Sequence, residues 1–404
     1  MNKKRLFSKT LLAATITLAT QQATAAGFQL NAQSATGLGR AFAGDAVIAD
    51  NASVMARNAA AMALFDSSQF SGGVNYIKTD IDVTDVSYDS SALGGGVAPV
   101  DSANNSSGTP VPNIYYVHRL NEQWAFGAGI YSNFGTSNEF DDSFGTSPTT
   151  PGANVYGGTT EIKSINYALT ASFRVNEQFS LGGGIDIIQG SGKLKRDLGT
   201  TPILDIDASG VGVGFNLGGV YELNEGNRFG LSYHYSPEIE AEDGNQKVTL
   251  PLPDMIEFSG YHEIKDTKFA VHYSVQYIGW SDFDQIEFTN AAITEKEYNW
   301  QNGMHYSIGG TYFLNDAWTL RAGYMYDTAA QDKDTSISVP DSDRQWLSAG
   351  VSYHFQKKHT VDFGFTYLMG DDVKVEEDTG GILPLTATTH ADAILAGVQY
   401  SYSF

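Results

Sequence analysis

The chain has 404 residues, 42% apolar, 12% aromatic and only 17% charged, with 43 glycines, no cysteine and a formal charge of −22. This composition excludes a disordered tail, the acidic balance excludes a nucleic-acid binder, and the missing thiols exclude disulfide scaffolds, thiolate metal sites and cysteine nucleophiles. Past the N-terminus no apolar run reaches the ~18 residues of a spanning helix, which excludes a helical membrane protein.

Residues 1–25 read as an export signal. Lys3, Lys4, Arg5 and Lys9 precede the apolar run Leu11 to Ala19, and Ala23-Thr24-Ala25 supplies small side chains for cleavage. The mature chain is expected to start at Ala26. Residues 27–65 show no alternation: Gly37 to Asp45 and Asp50 to Met62 are rich in alanine, with Asp50 or Asn51 placed to cap a short helix. Gly37 and Gly39 lack the third glycine and the preceding strand of a dinucleotide fingerprint.

From residue 68 the pattern changes to period two. A first strand is expected over 69–86, and then polar turns recur: Leu120 to Trp124, Val175 to Phe179, Leu223 to Phe229, Lys265 to Phe269, Leu314 to Trp318 and Gln356 to His359. Most are bracketed by an apolar residue and an aromatic one, as in strands pinned at a membrane interface by an aromatic girdle. Between the turns one face is apolar and the other small or polar, as in Phe179, Leu181, Gly183, Ile185 and Ile187 against Ser180, Gly182, Gly184 and Asp186. A soluble sandwich alternates too; the export signal, the aromatic-flanked turns and strands of ten residues or more favour a membrane barrel.

Six hairpins, one strand before and one over 386–404 make fourteen. The fold class expected is all-β: a 14-stranded antiparallel transmembrane β-barrel over 68–404, its lumen plugged by a small helical hatch at 26–67, since a barrel of that width leaks unless filled. Both termini then lie on the short-turn, periplasmic side. Residues 87–111, 141–158, 198–207, 290–297, 328–342 and 379–385, rich in Asp, Ser, Gly, Pro and Thr, are expected as outer loops. The last strand ends Tyr400, Tyr402, Phe404 on one face, and a terminal aromatic is typical of outer-membrane barrels.

The stretch Ala26-Gly27-Phe28-Gln29-Leu30-Asn31, Ser34 to Arg40, Ala49-Asp50 and Arg57-Asn58 closely resembles the hatch of the FadL family of long-chain fatty acid transporters. Leu252-Pro253-Asp254-Met255 and the segment Ile337 to Gly350, with its Pro340-Asp341-Ser342-Asp343-Arg344 core, resemble two further family motifs. The resemblance runs from Ala26 to Phe404. It implies a hydrophobic ligand captured outside, held in a lumenal pocket and released sideways through a kink in the third strand, where Gly135 stands at the matching position and supplies permissive dihedrals.

By the same resemblance Arg196 and Lys296 fall at carboxylate-contacting positions, Ser132 at their polar partner, and Phe28 at a pocket aromatic that an ordinary buried plug residue equally explains. Asp327, Asp341, Asp343 and Arg344 fall near polar contacts between hatch and wall, against a reading as loop solvation and capping. Asn58 opens the family's Asn-Pro-Ala motif, but Ala59 replaces the proline, which implies a more mobile or more helical hatch there.

Acidic runs such as Glu376-Glu377-Asp378 read as solvated loop faces, and the histidines have no zinc spacing, so no metal and no cofactor is expected. Lys193 and Lys195 read as contacts to lipopolysaccharide phosphate or solvent. The partners expected are long-chain fatty acids or other hydrophobic molecules and outer-membrane lipid, around a monomer. The alternatives are uptake of neutral aromatic hydrocarbons; an outer-membrane enzyme such as a phospholipase, with His234 beside Ser232 and Ser236 facing lipid, which lacks a nucleophile motif; and a general porin, which needs no plug. No enzyme is expected.

Overall fold

The structure, a computed structural model, describes residues 27–147, 150–289, 295–378 and 383–404. The export signal and the cleavage point before Ala26 lie outside them. Four of the polar turns share one device. The Asn121 side-chain oxygen accepts from the Gln123 and Trp124 amides at 2.9 and 2.8 Å, and Asn176 and Asn315 do the same two and three residues on; Asn224 accepts from Gly226 at 3.1 Å. Asparagine mimics a backbone turn in this way and reverses the chain without a longer loop.

These turns join a wall of fourteen strands: β1 Gln69–Asp89, β2 Ala103–Arg119, β3 Trp124–Tyr131 with Gly135–Glu139, β4 Thr159–Arg174, β5 Phe179–Leu198, β6 Thr201–Asn224, β7 Asn227–Tyr235 with Ile239–Asp243, β8 Gln246–Leu250 with Met255–Glu263, β9 Phe269–Ile278 with Gln285–Thr289, β10 Glu295–Glu297 with Gly303–Asn315, β11 Trp318–Asp327, β12 Arg344–Phe355, β13 His359–Gly370 with Val373–Glu377 and β14 Leu385–Ser403. Neighbours pair antiparallel, and β1 pairs with β14 from Gln69↔Ser403 to Tyr88↔Leu385, which closes the barrel and removes both edges.

Along β13, Val361, Phe363, Phe365 and Tyr367 are exposed while Asp362, Thr366 and Leu368 are buried, so the apolar face looks outward to lipid. Aromatics meet across adjacent strands at the short-turn end: Trp124 and Phe173 at 4.7 Å, Phe179 and Tyr221 at 4.9 Å, Phe269 and Tyr312 at 4.6 Å, Trp318 and Tyr353 at 4.7 Å. They form the interfacial girdle that the turn pattern predicts.

The outer side departs from the sequence reading. The 21 residues of β1 and 24 of β6 at ~3.3 Å per residue overshoot a ~30 Å hydrocarbon core about twofold. Much of the expected loop 87–111 is therefore strand, and the expected loop 198–207 is a two-residue turn at Gly199 and Thr200 between β5 and β6. The connection between β7 and β8, absent from the expected loops, is the hairpin Ile239–Asp243 to Gln246–Leu250. Above the membrane the outward face meets water and not lipid, so the polarity of the alternation inverts: along the outer part of β6, Leu204, Ile206 and Ala208 are buried while Asp205, Asp207 and Ser209 are exposed.

Inside, residues 27–65 fold as a four-residue helix, Ala35–Leu38, and two 3-10 helices, Ala52–Ala56 and Ala59–Leu64. Ser34, Asn51 and Asn58 cap them, their side-chain oxygens accepting from Gly37, Ser53 and Ala60 at 2.9 to 3.0 Å. The cap expected from Asp50 or Asn51 thus falls to Asn51, while Asp50 accepts from Arg40 at 2.8 Å and Arg321 at 3.3 Å. The small residues let backbone meet backbone: a Cβ on Gly39 would lie 2.8 Å from the Gly350 Cα in β12, so neither position admits a side chain without moving the hatch.

Candidate functional site

The third strand breaks between Tyr131 and Gly135. Pairing with β2 stops at Ile114↔Ile130, although β2 continues outward to Ala103, and the outer arm of β3 pairs with β4 from Gly135↔Lys163. The wall is thereby slit between β2 and β3. The hatch fills this slit by strand addition: Leu30 N donates to Asn133 O at 2.6 Å, Gly135 N donates to Phe28 O at 2.7 Å, and Gln29 bridges Phe134. Ser164 secures the detour, its hydroxyl accepting from Phe134 N and its amide donating to Phe134 O, both at 3.0 Å.

Gly135 keeps a φ outside the left-handed region. The expectation that permissive glycine dihedrals make the kink is therefore corrected: the three-residue detour and the inserted hatch make it. Ser132 is buried in the detour, where its carbonyl accepts from Gln33 at 3.4 Å. It forms no hydrogen bond with Arg196 or Lys296 among the described residues.

Phe28 leads from the slit into an apolar chamber. Its ring is fully buried and lies 6.2 Å from Phe134, 4.6 Å from Trp280, 5.3 Å from Phe283 and 5.7 Å from Trp300. Gly27 precedes it at φ +60, with a Cβ position only 2.6 Å from Trp300, so two tryptophans dictate glycine here. Ile162, Leu194, Ile239, Val248 and Ile286 enclose a remaining cavity of about 20 Å³. This cavity, little larger than a water molecule, does not by itself admit a long chain.

The aromatic path continues from Phe283 to Tyr298 at 5.0 Å, and the Lys296 ammonium stands 5.8 Å over the Tyr298 ring. Lys296 donates to Glu377 at 3.0 Å. The Lys296 side chain is 38% exposed; partial desolvation works against its charge, but the Glu377 carboxylate outweighs that and holds the ammonium above the usual lysine range, while burial raises the Tyr298 phenol, opposed by Lys296 and Arg196. Arg196, buried on β5, donates to Thr159 O at 2.7 Å, Lys195 O at 2.9 Å and Thr160 Oγ1 at 2.7 Å, and interacts electrostatically with Tyr298 and Glu377. Arg196 and Lys296 thus meet at one end of the chamber, and Phe28 lies toward the other. Glu377, read from sequence as part of a solvated run, is buried.

A second polar group ties hatch to wall. Arg344 bridges Asp327 at 3.1 Å and Asp341 at 3.0 Å; the Trp346 indole donates to Asp327 at 3.0 Å. His305 lies 3.9 Å from Asp327 and 3.0 Å from the Asn31 amide of the hatch. Asp341 also accepts from Ala330 at 2.6 Å and from the Gly27 amide, whereas Asp343 caps the loop through Ala329 N at 2.8 Å. Asn58 donates to Ala46 O at 2.7 Å and Gly219 O at 3.1 Å.

Sequence reasoning missed Arg57, which donates to Asn31 at 2.7 Å and Glu257 at 2.5 Å, and the Trp280, Phe283, Tyr298 and Trp300 cluster. The signal available for the latter was aromatics far from the girdle turns. His234 bonds the Arg57 carbonyl at 3.0 Å inside the lumen, so the Ser and His couple considered for a lipase faces the hatch and not lipid.

The family described as "Outer membrane protein transport protein (OMPP1/FadL/TodX)" matches residues 16–404. The chain is 32% identical to the long-chain fatty acid transport protein of Escherichia coli K12, over all of both chains. It is 34% identical to outer membrane protein P1 of Haemophilus influenzae, over 98% of this chain and 99% of that one. Among solved structures, a Pseudomonas aeruginosa FadL homologue superposes with a TM-score of 0.81 at 21% identity, over 94% of this chain and all of that one. The Pseudomonas putida toluene transporter TodX reaches 0.67 at 19%, over 92% and 98%. With the plugged fourteen-strand barrel in place, these matches show that the chain belongs to the OMPP1/FadL/TodX family of outer-membrane transport proteins.

Proposed function

We propose that this outer-membrane barrel takes up long-chain fatty acids and similar hydrophobic molecules passively, holding the carboxylate at Arg196 and Lys296 and the chain along the aromatic path, and releasing it sideways through the slit beside β3. One observation carries the reading: Phe28 belongs to chamber and closure at once, its ring inside the aromatic cluster and its carbonyl bonded to Gly135 in the wall. A ligand that displaces the ring pulls on the residue that seals the slit. Asn58 anchors the rest of the hatch, while the Asp327 and Arg344 group holds the two ends of this first segment, at Asn31 through His305 and at Gly27 through Asp341. Lipopolysaccharide and a monomeric barrel complete the proposal, with Lys193 and Lys195 on the outer rim of β5.

The absence of native cysteine allows a clean test. Cysteines at Gln29 and Phe134, bridged antiparallel across the slit, are within disulfide reach. Oxidation is expected to abolish fatty acid uptake and reduction to restore it. Uptake at the wild-type rate with the bond formed would rule out the slit as the exit.

Uptake of neutral aromatic hydrocarbons by the same route is the second reading. It is favoured by the tryptophan and phenylalanine lining and by the hydrogen bonds that already occupy Arg196. In an Arg196→Ala, Lys296→Ala double variant, loss of acid binding with retained alkane binding supports the acid; equal binding of the acid by both proteins supports the hydrocarbon.

A further inference from the structure

The cationic end of the chamber also contains an anion. Glu377 ends the outer arm of β13, where it pairs with Leu385 of β14, and its side chain is only 4% exposed. One carboxylate oxygen accepts from Lys296; the other is buried without a hydrogen bond. A buried carboxylate is tolerated when a cation compensates it, and two cations stand here. Lys296 makes the contact, while Arg196 has only uncharged acceptors within hydrogen-bond reach among the described residues. The group therefore carries one net positive charge, which a singly charged headgroup neutralises.

Resting on the fatty acid reading above, we propose that Glu377 is an internal counter-carboxylate: it holds Lys296 when no ligand is bound, and the ligand carboxylate takes its place between Lys296 and Arg196 against its repulsion. Glu377 thereby sets how firmly the acid is held. A transport site must bind firmly enough to load and weakly enough to release, and a fixed like charge beside the headgroup lowers affinity for the acid without touching the apolar contacts made by its chain.

The test compares hexadecanoic acid with hexadecanol, which has the same chain and no charge, by titration calorimetry on detergent-purified intact protein. Glu377→Gln keeps the shape and can still accept from Lys296, so the fold is preserved, and Glu377→Ala provides a second variant. Glu377→Gln is expected to hold the acid roughly tenfold tighter, the scale for removing one partly screened like charge at a few ångström, with alcohol binding unchanged. If the wild type prefers acid over alcohol and neither Glu377 variant tightens the acid, the counter-carboxylate role is overturned while the acid reading stands. If the wild type holds both equally, the acid reading falls and this inference with it.

Discussion

Arg57 shows how much one hatch residue carries. Its guanidinium reaches Asn31 within the hatch and Glu257 in β8, both buried. Truncating one partner of a buried ion pair leaves the other charge uncompensated, at a cost of about 3 to 5 kcal/mol. Arg57→Met is accordingly expected to loosen the hatch and leave the wall intact, read as frequent channel openings in a planar bilayer where the wild type is quiet; an equally quiet variant would show that the pair does not hold the hatch. At this scale the sequence was legible where residue type alone decides position. The polar turns, four of them closed by an asparagine side chain, fall in this class. It was not legible for Glu377, because three consecutive acids read as solvated, and only the fold shows that alternation along the outer arm of β13 turns the middle one inward.

At the scale of elements, the N-terminal segment Phe28 to Leu30 acts as a short strand filling a slit in a larger one. Two main-chain bonds hold it, and burial of the Phe28 ring against four aromatics supplies the rest. Emptying a buried phenylalanine site costs about 3 to 5 kcal/mol. Phe28→Ala should therefore accelerate hydrogen exchange at the amides of Leu30 and Gly135, roughly a hundredfold or more, while amides of β12 and β13 stay protected; unchanged exchange at Gly135 would separate the ring from the closure. The resemblance located this break in chain order, but its cause was misread. A glycine in a strand suggested special dihedrals, whereas the observed device is a detour paired with a segment about a hundred residues earlier, a long-range contact that no local pattern encodes. The length of β6 was underestimated for a different reason: beyond the membrane the outward face meets water, so the apolar residues turn inward and the lipid-facing pattern inverts.

For the whole molecule, the period-two pattern and the turn count were enough for fourteen strands, because lipid imposes one rule on every strand: apolar outside and backbone satisfied by neighbours. The interior obeys no such rule. It is set by the hatch, which touches strands around most of the wall through Ser71, Tyr115, Ser259, Ser274, Thr366 and Gln399. Chamber, cationic end and slit are consequently one connected system, reaching from Lys296 through Tyr298, Phe283 and Phe28 to Phe134. The structure of the protein with hexadecanoic acid bound tests this account most directly. It predicts the carboxylate between Arg196 and Lys296, the chain along the aromatic path, the Phe28 ring displaced and the bond from Gly135 N to Phe28 O broken; an acid seated in the chamber with Phe28 and the slit unmoved, or seated away from both cations, would contradict it.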